Sequence, residues 1–353
     1  MNRLLLAGLT AGAMSLATLA GGPLPAIAHS AQQAHHAVAT AAAVPALVGD
    51  SLAHRTPFSP NGQIVFERGS QIPDEAVLAV VNPDGSGLRN VSPLEPYSHP
   101  HWSPDGTRLA AVPFPENVLA TIFNVDTGTI TNLPNTYPMN MGCAVWSPDG
   151  TRLACASSHT DGSPESAGMY TVRASDGLGL SRVTTIPGGE DEPASYSPNG
   201  KMIEFARFID DSMVGLFIVK LDGSGLKQIT PDGALVDGDR FGDWSPQGNN
   251  IVFAQHNNPD VRNSIWVVHA DGSGMREIHF DVPDLCGGVR ALPLSRGCFD
   301  ATWSPDGKKI AFIVNQPGGD GESVYTANVD GTDVQLVSRS DAEYTDWGTH
   351  PLN

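Results

Sequence analysis

Apolar positions in this chain come mostly in runs too short for helices. Leu109–Val112, Ile251–Ala254, Ile265–Val268 and Ile310–Ile313 lie in apolar runs of four or five residues, each with Gly, Pro, Asp or Asn within three positions. Runs of that length between turn formers predict β-strands. One stretch breaks the pattern. Arg3 is followed by an uncharged apolar run from Leu4 to about Ala20, then by Pro23-Leu-Pro-Ala-Ile-Ala28. The Ala26-x-Ala28 pattern predicts a signal peptide over 1–28, cleaved after Ala28. Residues 29–52, rich in Ala, Gln and His and without helical period, predict a flexible leader that includes His35 and His36.

The turns between the short runs repeat. Phe58-Ser-Pro-Asn-Gly62, Trp102-Ser-Pro-Asp-Gly106, Trp146-Ser-Pro-Asp-Gly150, Tyr196-Ser-Pro-Asn-Gly200, Trp244-Ser-Pro-Gln-Gly248 and Trp303-Ser-Pro-Asp-Gly307 are six copies of one phrase, and Asp346-Trp347-Gly348 is a truncated seventh. Pro presets φ at the second turn position, Asp or Asn suits the third, and Gly accepts positive φ at the fourth, which is a type I turn with a bulge. A second phrase alternates with the first: Val81-Asn-Pro-Asp-Gly85, Val125-Asp-Thr-Gly128, Ala174-Ser-Asp-Gly177, Leu221-Asp-Gly223, Ala270-Asp-Gly272 and Val329-Asp-Gly331. Each repeat therefore reads strand, Ser-Pro-Asp-Gly turn, strand, variable loop, strand, Asp-Gly turn, strand. Six such units predict an all-β fold, a six-bladed β-propeller of four-stranded antiparallel blades over residues 53–353. Two segments compete to complete the first blade: Glu343–Trp347 and Ala53–Phe58.

The six aromatic-Ser-Pro-Asp/Asn/Gln-Gly phrases resemble the PD40 repeats of the TolB-like β-propeller family. The resemblance covers about residues 53–350, and it is less like WD40 repeats, whose Gly-His and Trp-Asp dipeptides are missing. It implies a periplasmic or secreted propeller used mainly as a binding scaffold. TolB itself is similar only over the propeller, since residues 29–52 are too few for the α/β domain that precedes it there. That departure argues against a Tol–Pal type role.

Composition agrees with a turn-rich sheet protein: 38 glycines and 28 prolines in 353 residues, with 40% hydrophobic and only 16% charged positions. The formal net charge of -18 excludes phosphate backbones and anionic membrane surfaces as natural partners, because no basic cluster reverses it locally. Cys143 and Cys155 flank the third turn, and Cys286 and Cys298 bracket the insertion in the longest repeat, twelve positions apart in each case. An even count in an exported chain predicts two local disulfides.

Uniform turns occupy one end of the predicted propeller; the variable, acid-rich loops occupy the other. The second end, with the channel mouth, is the candidate binding face, and its candidate residues are His99, His101, Asp191, Glu192, Asp239, Asp243, Asp300, Glu343 and Asp346. An acidic face suits a basic surface on another envelope or extracellular protein. Asp237, Asp239 and Asp243 are oxygen donors of the kind calcium takes, although their spacing departs from the EF-hand loop, and no other cofactor is expected. His99, His101 and the later His350 suggest a second function. Some relatives resembling oligogalacturonate lyases hold a metal with channel-mouth histidines, which would make this a metal-assisted enzyme on a polysaccharide or lactone. A serine hydrolase is excluded, since no Gly-x-Ser-x-Gly elbow exists. The resemblance to prolyl-oligopeptidase-like enzymes stops at the propeller. The leading expectation is a non-catalytic interaction protein.

Overall fold

Six antiparallel sheets follow one another around a ring in this computed structural model. It describes residues 60–352 apart from 70–75, 96, 114–117, 158–163, 210–211, 233, 238–240, 257–262, 284, 287–296 and 316–320. The expected signal peptide, the leader and the segment Ala53–Phe58 lie outside the described residues. Blades two to six begin with inner strands Tyr97–Trp102, Gly142–Trp146, Gly189–Tyr196, Asp243–Trp244 and Cys298–Trp303. Three further strands step outward from each, in chain order. Blade five splits its inner position, with Leu235–Asp237 and Asp243–Trp244 both pairing to Asn250–His256. The six-bladed, four-stranded reading of the repeat is thus borne out.

From blade two onward the recurrent phrase folds through bonds it makes to itself. Ser103 donates its hydroxyl to Asp105 at 2.6 Å and accepts the Arg108 N–H at 3.0 Å. Asp105 also accepts the Thr107 N–H at 3.0 Å. Gly106 closes the turn at φ 70°, a region costly for residues with a Cβ. Ser147, Asp149 and Thr151 repeat the arrangement in blade three. Because the donors all come from within about five residues, the same turn recurs at Gly106, Gly150, Gly200, Gly248 and Gly307. The first copy departs from the expectation: Gly62 is not left-handed and gives its N–H to the Gly348 carbonyl at 3.0 Å, where the C-terminal tail crosses.

The apolar runs bury against the neighbouring blade rather than a common centre. Leu119, Ala120 and Ile122 of blade two share a cluster with Trp146, Leu153 and Cys155 of blade three. Cys143 and Cys155 are a cross-strand pair and are joined as a disulfide, Cα to Cα 4.0 Å. Cys286 and Cys298 form the second disulfide, Cα to Cα 5.2 Å.

The ring is closed by the end of the chain. Ala342–Trp347 takes the inner position of blade one, with Trp347 opposite Ile64 and Ala342 opposite Arg68. The tail continues across the turns: Gln63 donates its N–H to the His350 carbonyl at 3.0 Å, and the His350 ring stacks on Trp102 with centroids 5.2 Å apart. Gly348 is required at this crossing, where a Cβ would lie 2.3 Å from Trp102 Cγ.

Candidate functional site

Five inner strands run from the variable loops toward a Ser-Pro-Asp/Asn/Gln-Gly turn, and the sixth, Ala342–Trp347, runs into Gly348, so the strand ends form the two mouths of the central channel. At the turn end sit Trp102, Trp146, Tyr196, Trp244, Trp303 and Trp347, all nearly buried. In blades one, four and five the side chain just before the aromatic ties one blade to the next. Asp346 accepts the Trp102 N–H at 2.7 Å, and Asp243 accepts the Trp303 N–H at 2.7 Å and the Thr302 hydroxyl at 2.9 Å. Blade four has only Ser195 here. Its hydroxyl accepts the Trp244 N–H at 3.0 Å and lies 3.1 Å from the fully buried Glu204, to which it donates. Glu204 stands where blades two, three and six carry Ala110, Ala154 and Ala311. A carboxylate from the second strand thus supplies through a serine what Asp243 and Asp346 supply directly. The cavity inside this collar holds about 70 Å³, room for a few waters.

The loop end differs. His99, Asp300 and Tyr344 occupy the same repeat position, three residues before the aromatic, on the consecutive blades two, six and one. All three are left-handed, at φ 54°, 54° and 51°. For residues with a Cβ this backbone costs roughly 1–3 kcal/mol each, and it persists only where the surroundings impose it. Here a bulge interrupts the pairing of each inner strand with its neighbour. The His99 and Tyr344 rings meet with centroids 4.5 Å apart. Fully buried Asp300 accepts the Tyr344 N–H at 3.3 Å, and its carbonyl accepts the Thr345 hydroxyl at 2.5 Å. His99 Nε2 lies 3.3 Å from Glu192 Oε1, which joins blade two to blade four across the mouth of blade three.

The remaining candidates separate by environment. Asp191 is fully buried, and its two oxygens take the Arg207 guanidinium at 2.7 and 2.8 Å; Arg207 in turn lies over Phe205 and Phe217. Glu343 is partly buried, and burial together with the charge of Asp341 pushes its carboxyl above the usual range. His101 is buried, 3.9 Å from Asp346. Asp239 lies outside the described residues, as does the side chain of Asp237. His350 belongs to the turn end, where Nδ1 is 2.8 Å from the Gly106 carbonyl, so it does not join His99. Among the described residues no three of His, Cys, Asp and Glu converge as a metal centre needs. Tyr344, Glu190 and Phe241, which line the loop-end pockets, had no distinguishing mark in the chain beyond their repeat position or loop charge.

The comparisons agree with this architecture. A family model for the TolB β-propeller domain matches residues 65–280. TolB from Acinetobacter baumannii superposes with a TM-score of 0.61 at 18% identity, covering 81% of this chain and 66% of that one. A protein described as putative TolB from Agrobacterium tumefaciens gives 0.59 at 18%, covering 82% and 92%. A chain of a nidogen–laminin complex gives 0.57 at 8% identity, covering 81% and 98%. No curated protein matches the sequence. At such identities the superpositions establish the fold, while the family match spans most of the chain: it belongs to the TolB β-propeller family.

Proposed function

We propose that this protein is an exported, non-catalytic binding scaffold of the cell envelope or exterior, which receives a partner with a basic surface at the loop-end mouth of its channel. The observation that carries the proposal is the set of three left-handed residues, His99, Asp300 and Tyr344, at one repeat position on consecutive blades. Strain gathered at a channel mouth is the mark of a site under functional constraint. Charge supports the same end. The turn-end acids are consumed locally, as Asp84, Asp222, Asp271 and Asp330 are by the Ser or Thr two residues on. Glu190, Glu192 and Glu343 belong to the loop end, in a chain of net charge -18. Two disulfides and the predicted signal peptide suit an oxidising compartment.

The test is capture from envelope extract by the mature protein, comparing Glu192→Lys/Glu343→Lys with a turn-end control, Asp222→Lys/Asp271→Lys. Loss in the first pair alone, with capture falling as salt rises, is the expected outcome. Equal capture by both pairs, or loss only in the control, refutes the assignment of the face.

A further inference from the structure

At the turn end, the groove between blades four and five stands open where its counterpart two blades earlier is covered. The second strand of blade two starts with Arg108, whose guanidinium lies over the Trp146 ring of blade three at 4.9 Å. Blade three starts the same strand with Arg152, bonded to Thr171 and Gly179. Blade four has Met202 there, shorter and uncharged. The groove left beside it holds about 540 Å³, more than three times the roughly 150 Å³ cavity that takes benzene. Ile218 and Trp244 are buried at its base, with Met202 and Ala270 half-buried above them. Its charged residues, Lys227 and Asp271, are opposite in sign, and the Lys227 ammonium donates to the Asp271 carbonyl at 2.5 Å. The groove therefore favours neither charge and suits an apolar occupant.

The start of the described chain lies close by. Asn61 Oδ1 accepts the Asp306 N–H at 3.1 Å, and the carbonyl of the same Asp306 accepts the side-chain amide of Gln247 at 3.1 Å. Gln247 lines the groove. Phe58 is three positions before Asn61, a reach of up to about 10 Å in extended chain, longer than the glutamine side chain that links Asp306 to the groove. It is also the aromatic of the first Ser-Pro phrase, and the collar place opposite Ile64 belongs to Trp347. That phrase is one residue short: six positions separate Phe58 from Ile64, against seven between Trp102 and its partner Leu109. Phe58 thus has neither the register nor the room to join the collar.

We infer that the segment Ala53–Phe58 docks in the groove between blades four and five, with the Phe58 ring against Met202, Ile218 and Ala270. Docking covers the apolar base that Met202 leaves open, and holds the preceding chain at the turn end, away from the loop-end mouth. The contact is apolar and its charged rim is balanced, so added salt leaves it intact. It does not depend on what the loop end receives.

The experiment replaces Phe58 with the photoreactive 4-benzoylphenylalanine in the mature protein, irradiates a dilute solution and maps the adducts by mass spectrometry. Adducts within one chain on Met202 or its neighbours in the groove are expected. Trypsin cleavage after Arg55 gives a second reading. The docked segment is protected, and cleavage should be at least about tenfold faster in Phe58→Ala and in Met202→Arg, at low and high salt alike, because cleavage follows the undocked population. Met202→Arg installs the residue type that blades two and three carry at this position, and its unfolding midpoint shows whether it is folded. Phe58→Ala leaves the described propeller unaltered and gives the same reading if Met202→Arg does not fold. Adducts outside the groove, adducts joining two copies, no adduct at all, or cleavage as fast in the unaltered protein as in the folded variants overturns the inference.

Discussion

The two ends of a single inner strand behave as different materials. In blade two, Trp102 at the turn end is buried, stacked on His350 and bonded through its N–H to Asp346, while three residues earlier His99 holds a strained backbone and reaches toward Glu192. The turn end is nearly the same from blade two onward, and the serines and aspartates of its Ser-Pro-Asp-Gly turns bond within their own turns. The loop end changes residue from blade to blade: His99, Cys143, Pro193, Phe241, Asp300 and Tyr344 fill equivalent positions. One end provides rigidity, and the other is therefore able to hold unfavourable conformations in place.

If that division is right, damage to the turn end costs stability and leaves ligand preference intact in whatever protein remains folded. The largest effect is expected from Trp347→Ala. This residue is 2% exposed and closes the ring, so its loss should cost about 3–5 kcal/mol in denaturant unfolding. A loss below about 1 kcal/mol would mean that the C-terminal strand is not what seals the propeller.

Next comes the disulfide of blade three. Replacing Cys143 and Cys155 by Ala should cost about 3 kcal/mol, because the bridge closes a short loop, with sequence separation 12. Since Cys143 sits at the loop end, this variant sharpens the comparison: stability should fall while capture of the envelope partner persists in the folded fraction.

The loop end should behave the opposite way. His99→Gly relieves a left-handed backbone, so the change in stability should lie within about 1 kcal/mol of zero, in either direction, once the greater freedom of unfolded glycine is included. Capture of the envelope partner should nevertheless change. A large destabilisation would show that His99 is held there for the fold.

The smallest effect concerns pH. Burial pushes the Asp105 and Asp149 carboxyls up, but bonds from Ser103, Ser147, Thr107 and Thr151 outweigh it and leave both below the usual range. Groups lowered in the folded state stabilise it above their unfolded pKa, near 3.9, and that stability is lost as pH falls through the folded values. Glu343 is shifted the other way, first by burial and then by Asp341. Its contribution is present in acid and is lost as pH rises through its folded pKa, so Glu343→Gln should raise the unfolding midpoint slightly at pH 7 and leave it unchanged near pH 4. A drop at pH 7 would place Glu343 among the stabilising acids.

Much of the fold was legible in the chain because its instructions are local. A Ser, an Asp and a Gly within five residues make a turn in every blade but the first, where the C-terminal tail takes the Gly62 N–H, and alternating turns at spacings of 44 to 59 residues leave few alternatives to a propeller. Cys143 and Cys155 could be paired because the turn between them sets the register. The candidate site was legible only in outline. Acid-rich loops could be recognised, but Asp191 and Glu192 are adjacent in sequence and opposite in circumstance, one locked to Arg207 and the other facing His99.

The chain alone therefore determined the blades, their number, their turns and their disulfides, since each depends on residues a few positions apart. Only the tertiary structure decided that Ala342–Trp347 closes the ring, that Asp243 and Asp346 bind neighbouring backbone, and that His99 meets Glu192. Those contacts join residues far apart in sequence. They exist only after the ring has curved enough to bring strands distant in sequence around one channel, and no local pattern encodes that curvature residue by residue.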